Sequence, residues 1–302
     1  MERTAEVIIV GGGPAGLSCA LILGRCGRRV FVFDNHSYRN RDAMAMNGFI
    51  SRDGIKPSDF LAIGRKELEK YNVIFYDDKV EKAQKSPQGF SVFTNKGDVF
   101  HAKKLVLATG VKDQLPPIAN IESYYGKSVF HCPYCDGWEF RGLPWTVYAL
   151  RWKSAKEVCL RLKSWTDNIT LLTNHLKPPG KQDLEYLIRN GIKTCSEKVT
   201  GLSGKYGMLE AVILESGKQI PASVLFFKTH QVPQSDLANQ LNCKRTSRGI
   251  VWFNKLQETN VKGLHVAGDM ARDIQLVIIA AAEGAKAGVS INYELNKESR
   301  LP

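Results

Sequence analysis

Long apolar runs are missing from this sequence of 302 residues. The longest, "ASVLFF" and "LVIIAAA", fall well short of the roughly 18 residues that a membrane-crossing helix requires, so no membrane partner is expected. The opening "MERTAEVIIVGGG" carries acidic residues and enters a strand pattern at once, unlike a secretory leader, and a cytoplasmic protein is expected. Cysteine is sparse: an odd total of seven, spread along the chain, does not make a disulfide framework. Only Cys132 and Cys135 lie close together, and Cys19, Cys26, Cys159, Cys195 and Cys243 are expected as packed thiols. Acidic residues number 30 against 42 basic ones, a net charge of +12. The basic residues are dispersed, and no helix-turn-helix, zinc-finger or RNA-binding signature accompanies them. Acidic proteins are therefore the expected partners, and nucleic acid is not. Low-complexity segments are absent.

What is present is an ordinary soluble composition, 43% hydrophobic and 24% charged, on a chain long enough for about two domains. The segment "AEVIIVGGGPAGLSCALILGRCGRRVFVFD" reads as strand, glycine turn, helix and strand, with helical periodicity through Leu17, Ala20, Leu21 and Leu23. A helix near Pro57 to Tyr71 and three short strands, "VIFYD", "GFSVFTN" and "DVFHA", follow, then the apolar strand "KLVLATG" and a linker, "LPPIANI". The strand, turn, helix and strand pattern recurs in "WTVYALRWKSAKEVCLRLKSWTDNITLLT", with further strands at "AVILES" and "SVLFFKT". The end is a strand, a short loop and a long alanine-rich helix. The sequence thus predicts two Rossmann-like, three-layer α/β domains, the second inserted into the first: residues 1–115 and 245–302 form one, and 116–244 the other.

Gly11, Gly13 and Gly16 fit the dinucleotide fingerprint, with Pro14 and Ala15 opening the helix between them. The first glycine permits the tight turn, the second lets the backbone approach a pyrophosphate, and the third lets helix and strand pack closely. Asp34 ends the next strand, where a carboxylate can reach a ribose hydroxyl. For the cysteine pair in "HCPYCDGWE", a zinc site lacks a second ligand pair. A structural crosslink over so short a loop adds little in a reducing compartment. A redox pair fits best, because one of two close thiols can be held as thiolate.

Together these features resemble the thioredoxin reductase family of FAD-dependent disulfide oxidoreductases, over nearly the whole chain. Ala108, Thr109 and Gly110 match the family's "ATG", and Gly268 and Asp269 match its late "GD", which lies against the ribityl chain and pyrophosphate. The resemblance implies FAD as cofactor. It also implies that Cys135 takes electrons from the flavin and Cys132 attacks the partner disulfide, with Asp136 as proton donor to the leaving thiolate. His131 reads either as a packed or solvated histidine or as an aid to thiolate formation. Asn47 stands where relatives often carry histidine and can hydrogen-bond the flavin edge. Gln275, Leu276 and Val277 replace the family's "RQA", and Gln275 is expected near the ring. The last helix resembles the family's dimer element, which implies a homodimer.

One departure concerns the electron donor. In the inserted domain Leu150 and Trp152 stand where the family's NADPH loop has glycines, and "NHLKPPG" lacks the arginines that clamp the ribose phosphate. NADPH binding is therefore not expected. The pattern resembles a subgroup that includes ferredoxin-dependent flavin thioredoxin reductases. Arg151, Lys153, Lys156, Arg161 and Lys163 offer a positive helix face that either steers an acidic donor such as ferredoxin or is simply solvated. The expected activity passes electrons from that donor to a thioredoxin-like protein. The alternatives are an oxygen-using oxidase of small dithiols and a non-catalytic flavin-binding sensor.

Overall fold

The computed structural model describes residues 3–300, except Leu150, Pro178, Pro179, Thr229, Arg272, Asp273 and the side chain of Lys153. It divides into two compact units: residues 1–41, 48–112 and 232–302, and residues 42–47 and 113–231. The chain leaves the first unit earlier, and returns to it earlier, than the sequence suggested. A short segment, Asp42–Asn47, also belongs with the inserted unit. The expected linker "LPPIANI" is instead part of that unit's core, with Ile118 and Ile121 buried.

The first unit begins with β1 (Thr4–Val10), α1 (Pro14–Arg25) and β2 (Val30–Phe33). β1 and β2 are almost wholly buried, so their apolar runs are continuous rather than alternating, as in parallel strands covered on both faces. α1 turns Leu17, Ala20 and Leu23 inward at helical spacing and packs them into a core with Ile9, Val32 and Ile291. Each large side chain buried there contributes about 2 kcal/mol. α2 (Pro57–Leu68), β3 (Val73–Tyr76), β4 (Val80–Ser86), β5 (Gly89–Thr94) and β6 (Val99–Leu107) follow. The sequence reading missed β4, "VEKAQKS", because only Val80 and Ala83 of it are buried, a spacing that breaks strand alternation at a register shift beside β5.

β7 (Val111–Gln114) carries the chain across. The inserted unit holds β8 (Val129–Phe130), α3 (Pro133–Asp136), β9 (Trp145–Tyr148), α4 (Trp152–Leu162), β10 (Ile169–Leu172), α5 (Lys181–Arg189) and β11 (Lys193–Cys195). An antiparallel sheet of β12 (Val199–Lys205), β13 (Met208–Leu214) and β14 (Gln219–Pro221) comes next. β15 (Val224–Phe227) then completes a parallel sheet of order β11-β10-β9-β15-β8. β16 (His230–Pro233) pairs with β7 and returns the chain.

Back in the first unit, α6 (Leu237–Gln240) precedes β17 (Leu264–Val266) and α7 (Val277–Glu298). The sheet runs β3-β2-β1-β6-β5-β4, and β17 lies parallel to the second half of β6. The adjacent parallel strands β1, β6 and β17 therefore end together, a topological switch point where open α/β sheets bind ligands. Of the five remaining cysteines, Cys19 and Cys159 are buried as expected, but Cys26 is exposed, because it follows the last turn of α1 where the chain turns at Gly27.

One polar cluster ties α7 to the sheet. Buried Lys104 of β6 donates to Glu294 at 2.6 Å and Glu298 at 2.7 Å, and buried His265 of β17 meets Glu294 at 3.1 Å. Burial alone would raise the Glu294 carboxyl, but the hydrogen bonds from His265 and Lys104 outweigh it and bring it down to about 2. A carboxyl so lowered stabilises the fold above its ordinary range near 4.5, and that stability is lost as pH falls from there toward 2. Glu294→Gln is expected to cost roughly 3 kcal/mol in urea unfolding at neutral pH, with a shallower acid dependence. An unchanged midpoint would show that the cluster stabilises nothing.

Candidate active site

The glycine turn after β1 is shaped by three different demands. Gly11 has φ +112°, and a Cβ there would overlap the carbonyl of Ala108 at the end of β6. A Cβ on Gly16 would overlap the Gly11 carbonyl, so α1 packs against the turn only through glycine. Gly13 is the contrast, since a Cβ there would meet nothing within 4 Å. The N-terminus of α1 has no side-chain cap and no acidic residue in its first turn, so the backbone N–H groups of Ala15 and Gly16 are not answered by a carboxylate of that turn. Open space over Gly13 beside this positive helix end fits a pyrophosphate.

Thr109 and Gly110 continue from β6. The Thr109 hydroxyl donates to the Met270 sulfur at 3.5 Å, and the Gly110 carbonyl accepts from the Gln234 amide at 3.2 Å. Gly268 and Asp269 follow β17, and the Gly268 amide donates to buried Glu283 at 3.0 Å. Arg39 donates to Asp269 at 3.0 Å and to Gln275 at 2.6 Å, so Asp269 and Gln275 meet through a side chain that the sequence reading did not select. No local pattern marks Arg39 or Glu283, because their partners lie far away in sequence.

Asp34 is more enclosed than expected, only 2% exposed. Its Oδ2 accepts from Tyr38 and from Arg65 at 2.6 Å, and its Oδ1 accepts from the His36 amide at 3.1 Å. A Cβ on Gly12 would also overlap this carboxylate. Asp34 is thus first an anchor for the loop after β2. Arg65 owes part of its strong cation character to it: burial works against the guanidinium, but the bonds to Asp34 and Asp77 outweigh that and raise it.

In the inserted unit Cys132 and Cys135 are closed as a disulfide with Cα atoms 5.4 Å apart. Pro133 starts α3 directly after Cys132, and the Cys135 and Asp136 amides donate back to the Cys132 carbonyl at 3.3 Å, holding the two cysteines on one turn. Gly137 has an ordinary backbone angle but must be small, because a Cβ would meet the Pro133 carbonyl and the rings of Trp145 and Trp165. Burial, and then the charge of Glu139, push the Asp136 carboxyl up to about 7. The Asn47 amide donates to the Cys135 carbonyl at 2.8 Å, so within this unit Asn47 supports the redox loop.

Trp152 is the first residue of α4 and is buried with Trp145, Val147 and Cys159; its indole N–H has no hydrogen-bond partner among the described residues. Leu150, the other substituted glycine position, lies outside the described residues, as does the side chain of Lys153. The basic face of α4 is partly neutralised: Lys156 pairs with Asp183 at 2.5 Å and Lys163 with Asp167 at 3.1 Å. Arg151 and Arg161 are exposed.

A family model for the pyridine nucleotide-disulphide oxidoreductases matches residues 5–160 and 168–284. The chain belongs to this family. Thioredoxin reductase aclD of Aspergillus oryzae is 30% identical over 96% of this chain and 96% of its own. The structure of a putative thioredoxin reductase, TrxB, from Bacillus anthracis matches with a TM-score of 0.94 at 32% identity, covering 98% of this chain and 99% of that one. The structure of HlmI matches with a TM-score of 0.94 at 30% identity, covering 99% and 95%. Within the family the chain is a flavin disulfide oxidoreductase of thioredoxin reductase-like fold.

The glycine turn gives a direct test. Gly16→Ala is expected to destabilise the protein by about 2 kcal/mol through overpacking, while Gly13→Ala stays within about 0.5 kcal/mol of wild type. Equal losses in urea unfolding would contradict the division of roles.

Proposed function

We propose that this protein is an FAD-dependent disulfide oxidoreductase that receives electrons from a donor other than NADPH and reduces a disulfide on a thioredoxin-like protein. The observation that carries the reading is the Cys132–Cys135 disulfide with Asp136 next to it on the same helical turn, a carboxyl that burial pushes up to about 7. The space over Gly13, the N-terminus of α1, Thr109, Gly110, Gly268 and Asp269 are the groups that would hold FAD. When bound there, FAD supplies the two electrons that open the cysteine pair.

The chain's own residues do the rest. Cys132 attacks one sulfur of the partner disulfide, that S–S bond breaks, and Asp136 gives its proton to the sulfur that leaves. Cys135 then attacks Cys132, releasing the second partner thiol and reforming the disulfide. Trp152 supports the reading on the donor: a buried indole opens α4, at the position where the family resemblance places the second glycine of a nucleotide-binding turn. Ferredoxin remains the proposed donor class, on the strength of Arg151 and Arg161. A homodimer would use the exposed Ile278, Val289 and Tyr293 of α7.

Two results test this. Cys135→Ser is expected to trap a mixed disulfide between Cys132 and oxidised thioredoxin, seen on a non-reducing gel, and Cys132→Ser to trap none; a trap only with Cys132→Ser would reverse the roles. Wild-type turnover is expected to fall as pH rises above about 7, as Asp136 loses its proton. Asp136→Asn should lower turnover about 100-fold and remove that alkaline limb. An unchanged alkaline limb in the variant would exclude Asp136 as its source.

A further inference from the structure

The turn that carries the cysteine pair rests on two indoles. Gly137 closes it, and a Cβ there would lie 3.2 Å from ring atoms of both Trp145 and Trp165. The rings of those tryptophans are stacked, 24° apart in plane with centroids at 6.3 Å. Trp145 is buried at the start of β9, and its indole N–H donates to the Phe140 carbonyl at 2.8 Å. Trp165 comes from the turn after α4 and is partly buried against the same core. The Gly142 amide donates to the Trp165 carbonyl at 3.0 Å, and the neighbouring Thr166 hydroxyl donates to the Leu143 carbonyl at 2.9 Å. All of these residues belong to the inserted unit.

Tyr134 stands between the two cysteines, is 62% exposed, and sets its ring edge-on to Trp165, with centroids 5.5 Å apart and planes at 78°. This is a favoured geometry for an aromatic pair. Trp165 therefore meets the redox turn at two points, the side chain of Tyr134 inside it and the backbone of Gly137 at its end. Two thiols held on one rigid turn have a high effective concentration toward each other, which favours the disulfide, and a turn freed to open lowers it. The two tryptophans differ in what else they do. Trp145 is a centre of the domain core, packed on Phe226 with centroids 4.9 Å apart, so its loss would cost the fold. Trp165 lies at the margin of that core, with one ring contact to Trp145 and another to the redox turn.

We propose that Trp165 is a positioning residue for the redox pair, holding Tyr134 and Gly137 so that Cys132 and Cys135 stay on one closed turn and the disulfide is favoured over the dithiol. The inference deepens the reading above and rests on Cys132 and Cys135 as a redox pair. Reduction breaks the S–S bond and adds two electrons and two protons. With dithiothreitol as reductant, its two thiols supply both and close to a cyclic disulfide. Whatever Trp165 contributes to the closed turn beyond the open one appears in that equilibrium. A contact that merely supports the fold stabilises both redox forms alike and leaves the ratio where it was.

The test is the equilibrium of the anaerobic, flavin-loaded protein with mixtures of reduced and oxidised dithiothreitol, with thiols at Cys132 and Cys135 counted by alkylation and mass spectrometry of the peptide that carries them. Trp165→Leu is expected to shift the midpoint about fivefold toward the dithiol, which is roughly 20 mV at about 30 mV per tenfold. Trp165→Phe keeps a ring for Tyr134 and should stay within about twofold of wild type. Tyr134→Ala should shift the midpoint in the same direction as Trp165→Leu, by about threefold. Circular dichroism and flavin content establish that each variant is folded. If Trp165→Leu does not fold, Tyr134→Ala decides, because its side chain is exposed. Midpoints equal to wild type in Trp165→Leu and Tyr134→Ala, or shifts toward the disulfide, would overturn the positioning role. A wild-type pair that stays oxidised at every ratio would overturn the redox pair itself, an outcome distinct from an unmoved midpoint.

Discussion

The backbone contact between Gly16 and the Gly11 carbonyl is the constraint on which the first unit depends. It lets the start of α1 lie directly on the end of β1. The ends of β6 and β17 then stand beside the same turn, and Thr109, Gly110, Gly268 and Asp269 come with them. The inserted unit repeats the pattern of strand, turn and helix. Ala155 keeps a small side chain against its core, but Trp152 occupies the first position of α4. The same supersecondary unit is thus built twice, once around open space and once around a buried indole.

The redox loop is organised around protons as much as electrons. A disulfide takes up two electrons and two protons on reduction, so the protonation state of nearby groups sets the direction and rate of exchange. Asp136 is kept near the middle of the physiological range by burial and by Glu139. Asp113, buried on β7, accepts from Tyr125 and Gln231.

Much of this was legible in the sequence because it rests on local pattern. Gly11, Gly13 and Gly16 announce their roles by spacing, and the apolar runs of β1, β2 and β15 announce parallel strands. The pair Cys132 and Cys135 is a motif three residues apart. Long-range contacts were not legible. Arg39 reaches Asp269 and Gln275, Glu283 reaches the Gly268 amide, and Asp113 reaches Tyr125, all without any periodic or motif signal. Asp34, expected at a ribose, also anchors Tyr38 and Arg65, and nothing in the local sequence discloses those bonds. Asn47 also donates to the Cys135 carbonyl, and the grouping of Asp42–Asn47 with the inserted unit is a crossing that composition does not mark. Two lysines of the basic face of α4 are paired with Asp183 and Asp167, which lie outside the helix and carry no signal in its own sequence.

The central claim is that electrons reach the cysteine pair from a donor other than NADPH. The most direct measurement is an anaerobic titration of the purified flavin-loaded protein, first with NADPH and then with chemically reduced ferredoxin, following flavin absorbance and counting new thiols at Cys132 and Cys135. The account requires no bleaching and no new thiols with stoichiometric NADPH, and both on adding reduced ferredoxin. Rapid bleaching by NADPH, with two thiols formed per chain, would contradict it and show that Trp152 does not close the nucleotide site.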